Sequence, residues 1–437
     1  MRAVPELLPL GELTLPESAE RTLPSGLTVI AIRRATVPLV EVRLRVPFGQ
    51  ADLPGASVLA QTLLSGTATR SNVEIATELQ AAGGALSASV NPDRLLVAGN
   101  GLASRLDQLL SVLAEVLTAA SYPEEQVVTE RERLVDRIRV ARKQPAHLVQ
   151  EVLLRRIYGD HPYGEQTPEP AQVQAVSGEQ LRRLHAERVS PRGATLVLVG
   201  DLDPDAILDV AADRLGGWLG GQEPVTLPAT PPLVPGPLLL ADRPESVQSS
   251  LRLALPAVGR HHPDHPALQL ANLIFGGYFS SRWVENIRED KGYSYSPRST
   301  VEHSEAGSVV VVAAEVATEV TAPALLETWY ELGRLACLPP TEEELTQARQ
   351  YALGTIQLSM ATQAGLAGLA STYAGFGLRL DYLLRYTQAL ADITVDDVAT
   401  VAARYLAPAR AVPVLLGDAT EVEAGLARLG PVTREPW

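Results

Sequence analysis

The chain repeats itself. At an offset of 217 residues, PEEQVVTERERL from Pro123 matches PTEEELTQARQY from Pro340, and VSGEQLRRLHAERVSP from Val176 matches ITVDDVATVAARYLAP from Ile393. LVLVGDLDPDAI, holding Gly200-Asp201, then matches VPVLLGDATEVE, holding Gly417-Asp418. Nearer the start of each copy the offset drifts by a few residues, as loop changes would cause: LAQTLLSG from Leu59 resembles LANLIFGG from Leu270. Several matches in one order mean two copies of one domain. A chain of 437 residues is also too long for one ordinary core, and two units of about 200 residues are the natural expectation. Between the copies lies QEPVTLPATPPLVPGP, residues 222–237, whose six prolines cannot sustain a helix and favour an extended, semi-rigid connector. The division is therefore 1–221, a linker at 222–237, and 238–437.

Each copy carries the same coarse pattern. In the first, Leu27–Ile32 and Leu39–Val46 read as strands. The second of these alternates, with Val40, Val42, Leu44 and Val46 apolar and Glu41, Arg43 and Arg45 polar. Ser71 and Glu74 form a capping box at a helix start. Ala85–Val90 and Arg94–Gly99 make a hairpin around Asn91-Pro92-Asp93, a helical region covers 103–189, and the strand Thr195–Val199 with a helix from Pro204 closes the unit. Neighbouring strands joined by short turns, followed by grouped helices, indicate an α+β layer fold.

Composition narrows the function. Net charge is −14, which argues against nucleic acid or an anionic membrane surface as a partner. No apolar run is long enough to span a bilayer. The opening MRAVPELLPLGELTLPES has Pro5, Pro9 and an early Glu6 but no apolar core of the signal-peptide kind, so a cytoplasmic chain is expected. Cys337 stands alone, which excludes an internal disulfide and a thiolate metal cluster. Lysine is confined to Lys143 and Lys291 while arginine is abundant. A thermophile and a GC-rich mesophile both fit that bias.

The segment 276–296, GGYFSSRWVENIREDKGYSYS, holds the candidate chemistry. A Gly pair ends an apolar helix, and a short helix follows with Ser280 or Ser281 as its N-cap. Lys291-Gly292 stops that helix, and Tyr293, Tyr295 and the residues beyond read as a strand. Arg288 then sits in the last helical turn and Tyr295 at the strand entry. A guanidinium and a phenol can act together on one oxygen, as oxyanion stabilisation requires. Viewed alone, such an Arg often only complements a helix dipole and such a Tyr only packs.

With these residues in hand, the chain resembles the pitrilysin and mitochondrial-processing-peptidase (insulinase-type) zinc peptidases over about residues 20–430. The likeness rests on the duplicated halves, the segment ending LLSGT, the block LQAAGGALSASVNPD, DHPYG at 160–164, and SSRWVENIREDKGYSYS. The last resembles a family pattern of Ser-Arg-Leu, Arg-Glu-x-x-Gly and a Tyr seven residues after that Arg, matched by Arg288 and Tyr295. The resemblance implies two like domains, each a mostly antiparallel mixed β-sheet with helices packed on one side. It also implies that the Arg/Tyr pair closes over a zinc site and helps bind a peptide and its tetrahedral intermediate.

The zinc motif is where the chain departs. Active members carry His-x-x-Glu-His on a helix, two ligands sharing one face and a Glu that activates water. Counted back from Gly66-Thr67, the matching positions are Ser57, Ala60 and Gln61, so both nitrogen ligands and the base are missing. The family's third ligand matches Glu130 in ERERLVDRI. One carboxylate cannot hold catalytic zinc, and Glu130 is expected to be a solvated helix residue beside Arg131 and Arg133. No metal is expected in this chain. His261-His262-Pro263-Asp264-His265 looks superficially like a metal motif, but Pro263 keeps the two outer histidines off one helical face, so a surface loop is expected. His161 and His185 are expected to be structural, and Gly83-Gly84 and Gly276-Gly277 to be turns.

The resemblance therefore implies a non-metal-binding, substrate-binding subunit of a heteromeric zinc peptidase. A homologous partner subunit would supply the His-x-x-Glu-His motif, the zinc and the general base, and Arg288 and Tyr295 would act in that partner's site on peptides or unfolded segments. The alternative is an inactive scaffold like the core proteins of respiratory cytochrome complexes. A homodimer that binds peptides without cutting them is a third reading.

Overall fold

The computed structural model of the protein describes residue 11 and residues 13–436. Most of the opening segment read for a leader lies outside the described residues. Among the described residues, twelve strands form two six-stranded sheets. The first sheet contains β1 (Ser18–Thr22), β2 (Thr28–Arg33), β3 (Leu39–Pro47), β4 (Ala85–Val90), β5 (Arg94–Leu102) and β6 (Thr195–Gly200). The second contains β7 (Leu238–Asp242), β8 (Gln248–Pro256), β9 (Arg298–Ser304), β10 (Gly307–Ala317), β11 (Val412–Gly417) and β12 (Val432–Pro436).

The spatial orders are β1-β2-β6-β3-β5-β4 and β12-β7-β11-β8-β10-β9. Five strands of each correspond one to one. β2 and β6, like β7 and β11, are parallel, and the remaining pairs among these five are antiparallel. β6 and β11 lie at the 217-residue offset of the repeat. The sixth strand differs. β1 precedes its half and runs antiparallel to β2, whereas β12 follows its half and runs parallel to β7. Each closes the same edge from the opposite end of the chain. The α+β architecture with two mixed sheets is as the sequence indicates, and the capping box at Ser71 and Glu74 is formed.

Helices cover more than one side of each sheet. The inward face of the first sheet, with Val29, Val42, Leu44 and Leu196, packs on helices of its own half. Its other face, with Ile32, Val197 and Val199, joins the core of the second half, where the helix Gln363–Gly375 lies across β3 and β6. The second sheet is treated reciprocally. The helix Pro145–Tyr158 from the first half lies on β8 and β11, and its Leu148, Val149, Val152 and Leu153 pack with Ala254, Val309, Val311 and Val414. Each half therefore lends one helix to the other. This is why the polar residues of β3 are not solvated: Glu41 and Arg45 are both buried. Arg45 forms an ion pair with Glu305 in the turn between β9 and β10, and a side chain at Gly375 would run into its guanidinium.

Two further features tie the halves together. The Tyr163 hydroxyl, from DHPYG, donates to Asp93 and accepts from the Ala306 N–H at 3.0 Å. The linker 222–237 contains no helix or strand; Leu227 and Leu233 pack on the shared cluster, and the Thr230 N–H donates to Ala306 O at 3.2 Å. It is strapped down rather than free.

The histidine cluster resolves into separate roles. His261 Nε2 bonds Phe376 O at 2.8 Å, and His262 Nδ1 accepts from the Asp264 N–H at 3.0 Å. Asp264 holds Arg404 and the Tyr405 hydroxyl, each at 2.8 Å. Only these first residues form an exposed turn. His265, expected in a surface loop, is buried at the head of the helix His265–Asn272, because Pro266 takes the first turn and directs the imidazole inward. Its Nε2 lies 3.2 Å from His303 Nε2, and His303 Nδ1 lies 2.8 Å from Ser308 Oγ. His185 is also structural, held by Tyr122 and Leu117 O, and His161 bonds Pro228 O.

Burial pushes both His265 and His303 down to about 3, with the Arg260 charge adding to each and the His303 charge adding to His265. The unfolded chain titrates near the ordinary value of about 6.5, so between these limits it binds more protons than the folded chain. Stability is full above about pH 6.5 and is lost as pH falls toward 3. The urea midpoint is expected to drop between pH 7 and pH 5, and His303→Gln is expected to flatten that drop; an unchanged slope would rule out the pair as its source. The exchanged helices also bind the halves into one unfolding unit. Tryptophan fluorescence and far-UV circular dichroism should give coincident transitions, and within each of the Trp218→Phe and Trp283→Phe variants the two probes should again share one midpoint; probes that separate within a variant would show independent halves.

Candidate functional site

The segment 276–296 is built on glycine and tryptophan. After the helix His265–Asn272, a wider π-helical turn runs Leu273–Gly277. A Cβ on Gly276 would approach the Trp283 ring to 2.9 Å, so only glycine lets that ring seat. Trp283 is fully buried, stacks on Phe275 at 5.4 Å between centroids, and donates its indole N–H to Thr328 Oγ1 at 3.0 Å. Ser281 precedes the short helix Arg282–Val284 but does not cap it: its hydroxyl donates to Tyr278 O at 2.6 Å. Arg282 grips Glu344 with two parallel bonds of 2.5 and 2.8 Å. Glu344 is also the acceptor of the Thr341 capping box that starts the helix Glu342–Ala361. Against the upward push of partial burial, the bonds from Arg282 and Thr341 hold its carboxyl down at about 2.

Arg288 follows on a second π-helical turn, Glu285–Asp290. That turn is anchored inward by fully buried Ile287 and by the Asn286 amide, which donates to Glu327 and Glu331 at 3.0 Å each. Gly292, at φ +67°, reverses the chain, and the Tyr293 and Ser294 N–H groups return to Ile287 O. Tyr295 is not in a strand, contrary to the sequence expectation. β9 begins only at Arg298, because the backbone N–H groups of 293 and 294 are spent on that helical carbonyl. Tyr295 projects from a short loop and is 83% exposed.

The structure nonetheless brings the pair together. The Arg288 guanidinium carbon lies 5.3 Å from the Tyr295 ring centre and 4.3 Å from that of Phe279, a favourable cation–π geometry on both. Its Nε sits 3.3 Å from Glu289. Phe279 is the member that sequence reasoning missed. It is nine residues before Arg288 across two turns, so no helical or strand spacing links them.

The positions matching the zinc motif also converge, on two packed helices, Leu53–Thr62 and Glu124–Ala141. Ser57 is half-buried, Ala60 is a buried methyl group, and Gln61 accepts a bond from Arg137 at 2.9 Å. Glu130 is not simply solvated. Its side chain is largely covered and bound to Arg133 at 2.6 Å, because the helix packs over it. A hydroxyl, a methyl, an amide and one carboxylate, the last two held by guanidinium groups, do not fit zinc. Among the described residues, no group of three His, Cys, Asp or Glu is placed to hold a metal ion. A cleft of about 670 Å³ opens beside this helix, where Ala56 meets Val90 and Asn91 at the end of β4. Nor is any described helix long and apolar enough to cross a membrane.

The two like α+β halves define a fold that is shared with known peptidases. Residues 29–171 match the profile of insulinase (peptidase family M16), and residues 175–351 match that of the peptidase M16 inactive domain. An uncharacterized zinc protease of Mycobacterium tuberculosis is 27% identical over 91% of this chain and 92% of its own length. The uncharacterized zinc protease YmxG of Bacillus subtilis is 24% identical over 78% and 83%. A solved peptidase M16 inactive domain from Pseudomonas fluorescens superposes with a TM-score of 0.85 at 22% identity, over 92% of this chain and 98% of that one. A protease from Helicobacter pylori gives 0.84 at 20%, over 92% and 100%. The chain belongs to the M16 (insulinase) peptidase family and lacks that family's His-x-x-Glu-His motif.

Because Arg282 is nearly buried, Arg282→Ala leaves Glu344 without its partner and frees the turn that carries Arg288. A loss of about 3 kcal/mol is expected, read by urea denaturation at pH 7. Arg282→Lys should recover only part of it, since a lysine cannot make the paired bonds; full recovery would show that charge alone suffices.

Proposed function

We propose that this chain is the substrate-binding, non-metal subunit of a two-component zinc peptidase. The observation that carries the reading is the contrast between two sites. Arg288 and Tyr295 are assembled on anchored backbone, the tyrosine exposed and the guanidinium partly covered by two rings, while Ser57, Ala60, Gln61 and Glu130 offer no metal set. An inert scaffold has no use for a pre-positioned guanidinium beside an exposed phenol. The relatives carry the name zinc protease, and in this reading zinc and the general base come from a homologous subunit. Both subunits would work in the cytoplasm.

In the assembled site, Arg288 holds a peptide carbonyl oxygen by charge-assisted hydrogen bonds, and the Tyr295 hydroxyl donates to the oxygen that becomes negative as water adds to the carbonyl. The bond rearrangement itself belongs to the partner's metal centre. This chain supplies charge stabilisation and alignment. Donors aimed at a developing oxyanion matter most in a closed site that excludes water.

Reconstitution tests this. The chain is mixed with a zinc-bearing homologue and peptide cleavage is followed. Arg288→Ala and Tyr295→Phe are each expected to lower kcat by about 100-fold, the scale of one lost oxyanion donor, with the complex still formed on gel filtration. Unchanged cleavage by both variants would sink the shared site and favour the scaffold.

A further inference from the structure

Two exposed rings flank one cation. Phe279 is 57% exposed, and yet its ring carries the Arg288 guanidinium at the shorter of the two cation–π distances. Tyr278, the residue before it, is held by stacking on Tyr351 at 5.1 Å, so the neighbouring ring is docked while Phe279 projects. Among the described residues, neither Nη of Arg288 makes a hydrogen bond; its ionic contact is the one from Nε to Glu289. Phe279 is thus an apolar surface beside a guanidinium edge that can still donate. Glu285, Glu289 and Asp290 lie exposed on the same turn, which disfavours acidic groups nearby.

An extended peptide projects a side chain within a few ångströms of each of its carbonyl oxygens. If Arg288 holds such a carbonyl, the adjacent side chain meets the Phe279 ring. We propose that Phe279 determines specificity, and that this chain selects extended peptides with an aromatic or large aliphatic residue next to the carbonyl held by Arg288. The proposal rests on the substrate-binding reading above and names its substrate class. It assigns Phe279 a contact with the peptide in addition to its contact with Arg288.

The test is binding by the whole chain without a partner, so its failure is separable from failure of the reconstituted activity. Blocked heptapeptides of sequence Gly-Gly-Gly-X-Gly-Gly-Gly, with X as Phe or Ser, are titrated and followed by saturation-transfer NMR. The Phe peptide is expected to bind about fivefold more tightly than the Ser peptide, the scale of one exposed aromatic contact. Phe279→Ala should abolish that preference and Phe279→Tyr should retain it. Equal binding of the two peptides, no binding of either, or a preference that survives Phe279→Ala would each overturn the proposal. So would a Phe279→Ala variant that weakens both peptides by one factor, because the ring would then only hold Arg288 in place.

Discussion

The structure depends on burial of the helix Pro145–Tyr158 against a sheet that its own half does not build. Its apolar stripe, from Leu148 to Ile157, covers one face of the second sheet, and the helix Gln363–Gly375 covers the matching face of the first. Apolar side chains removed from water in this way are worth roughly 1.5–3 kcal/mol each. Without the exchange, both sheets would expose a broad apolar face. The exchange also makes burial of polar residues unavoidable. Arg45 must find Glu305, and the Gln363 amide nitrogen lies within 2.6–3.1 Å of the Arg34, Val37 and Leu39 carbonyl oxygens. The two halves are one body because neither is covered without the other.

On that body the second half builds a display surface. Trp283, Ile287, Ser281 and Arg282 all point inward or are tied down, which leaves Phe279 and Tyr295 exposed on either side of the Arg288 guanidinium, with Glu285, Glu289 and Asp290 exposed on the same turn. The Arg282–Glu344 pair joins the short helix to the cap of the helix Glu342–Ala361, so the turn bearing Arg288 is referenced to a long element rather than to a loop. The π-helical turn at Glu285–Asp290 is the kind of irregularity that recurs where a helix must aim a side chain. The matching region of the first half has gone the other way. Gln61 and Glu130 are engaged by Arg137 and Arg133, which put positive charge where metal ligation needs free lone pairs.

Much of this was legible in the sequence. The repeat survives because the strands that end at Gly200 and Gly417 keep the same length and offset, and hydrophobic periodicity marks β3 and the hairpin of β4 and β5. The Arg/Tyr spacing and the missing ligands at Ser57, Ala60 and Gln61 could be counted directly. β1 and β12 escaped because short, exposed edge strands carry little periodicity. The polar side of β3 could not disclose that Glu41 and Arg45 are buried, since Glu305, which pairs with Arg45, and the helix that covers this face, Gln363–Gly375, both belong to the other half. Tyr295 read as strand because Tyr and Ser alternate there, yet two hydrogen bonds to Ile287 O hold the loop off the sheet. Phe279 carried no signal at all.

The sequence alone determined that the chain is a duplicated α+β protein and that Ser57, Ala60 and Gln61 stand where the family carries His-x-x-Glu-His, because strand and helix periods and ligand types are local properties. Only the tertiary structure decided which helix covers which sheet, that His265 is buried against His303, and that Phe279 joins Arg288 and Tyr295. Those outcomes depend on packing between residues far apart in the chain, where matching shape and charge, rather than spacing, selects the partner.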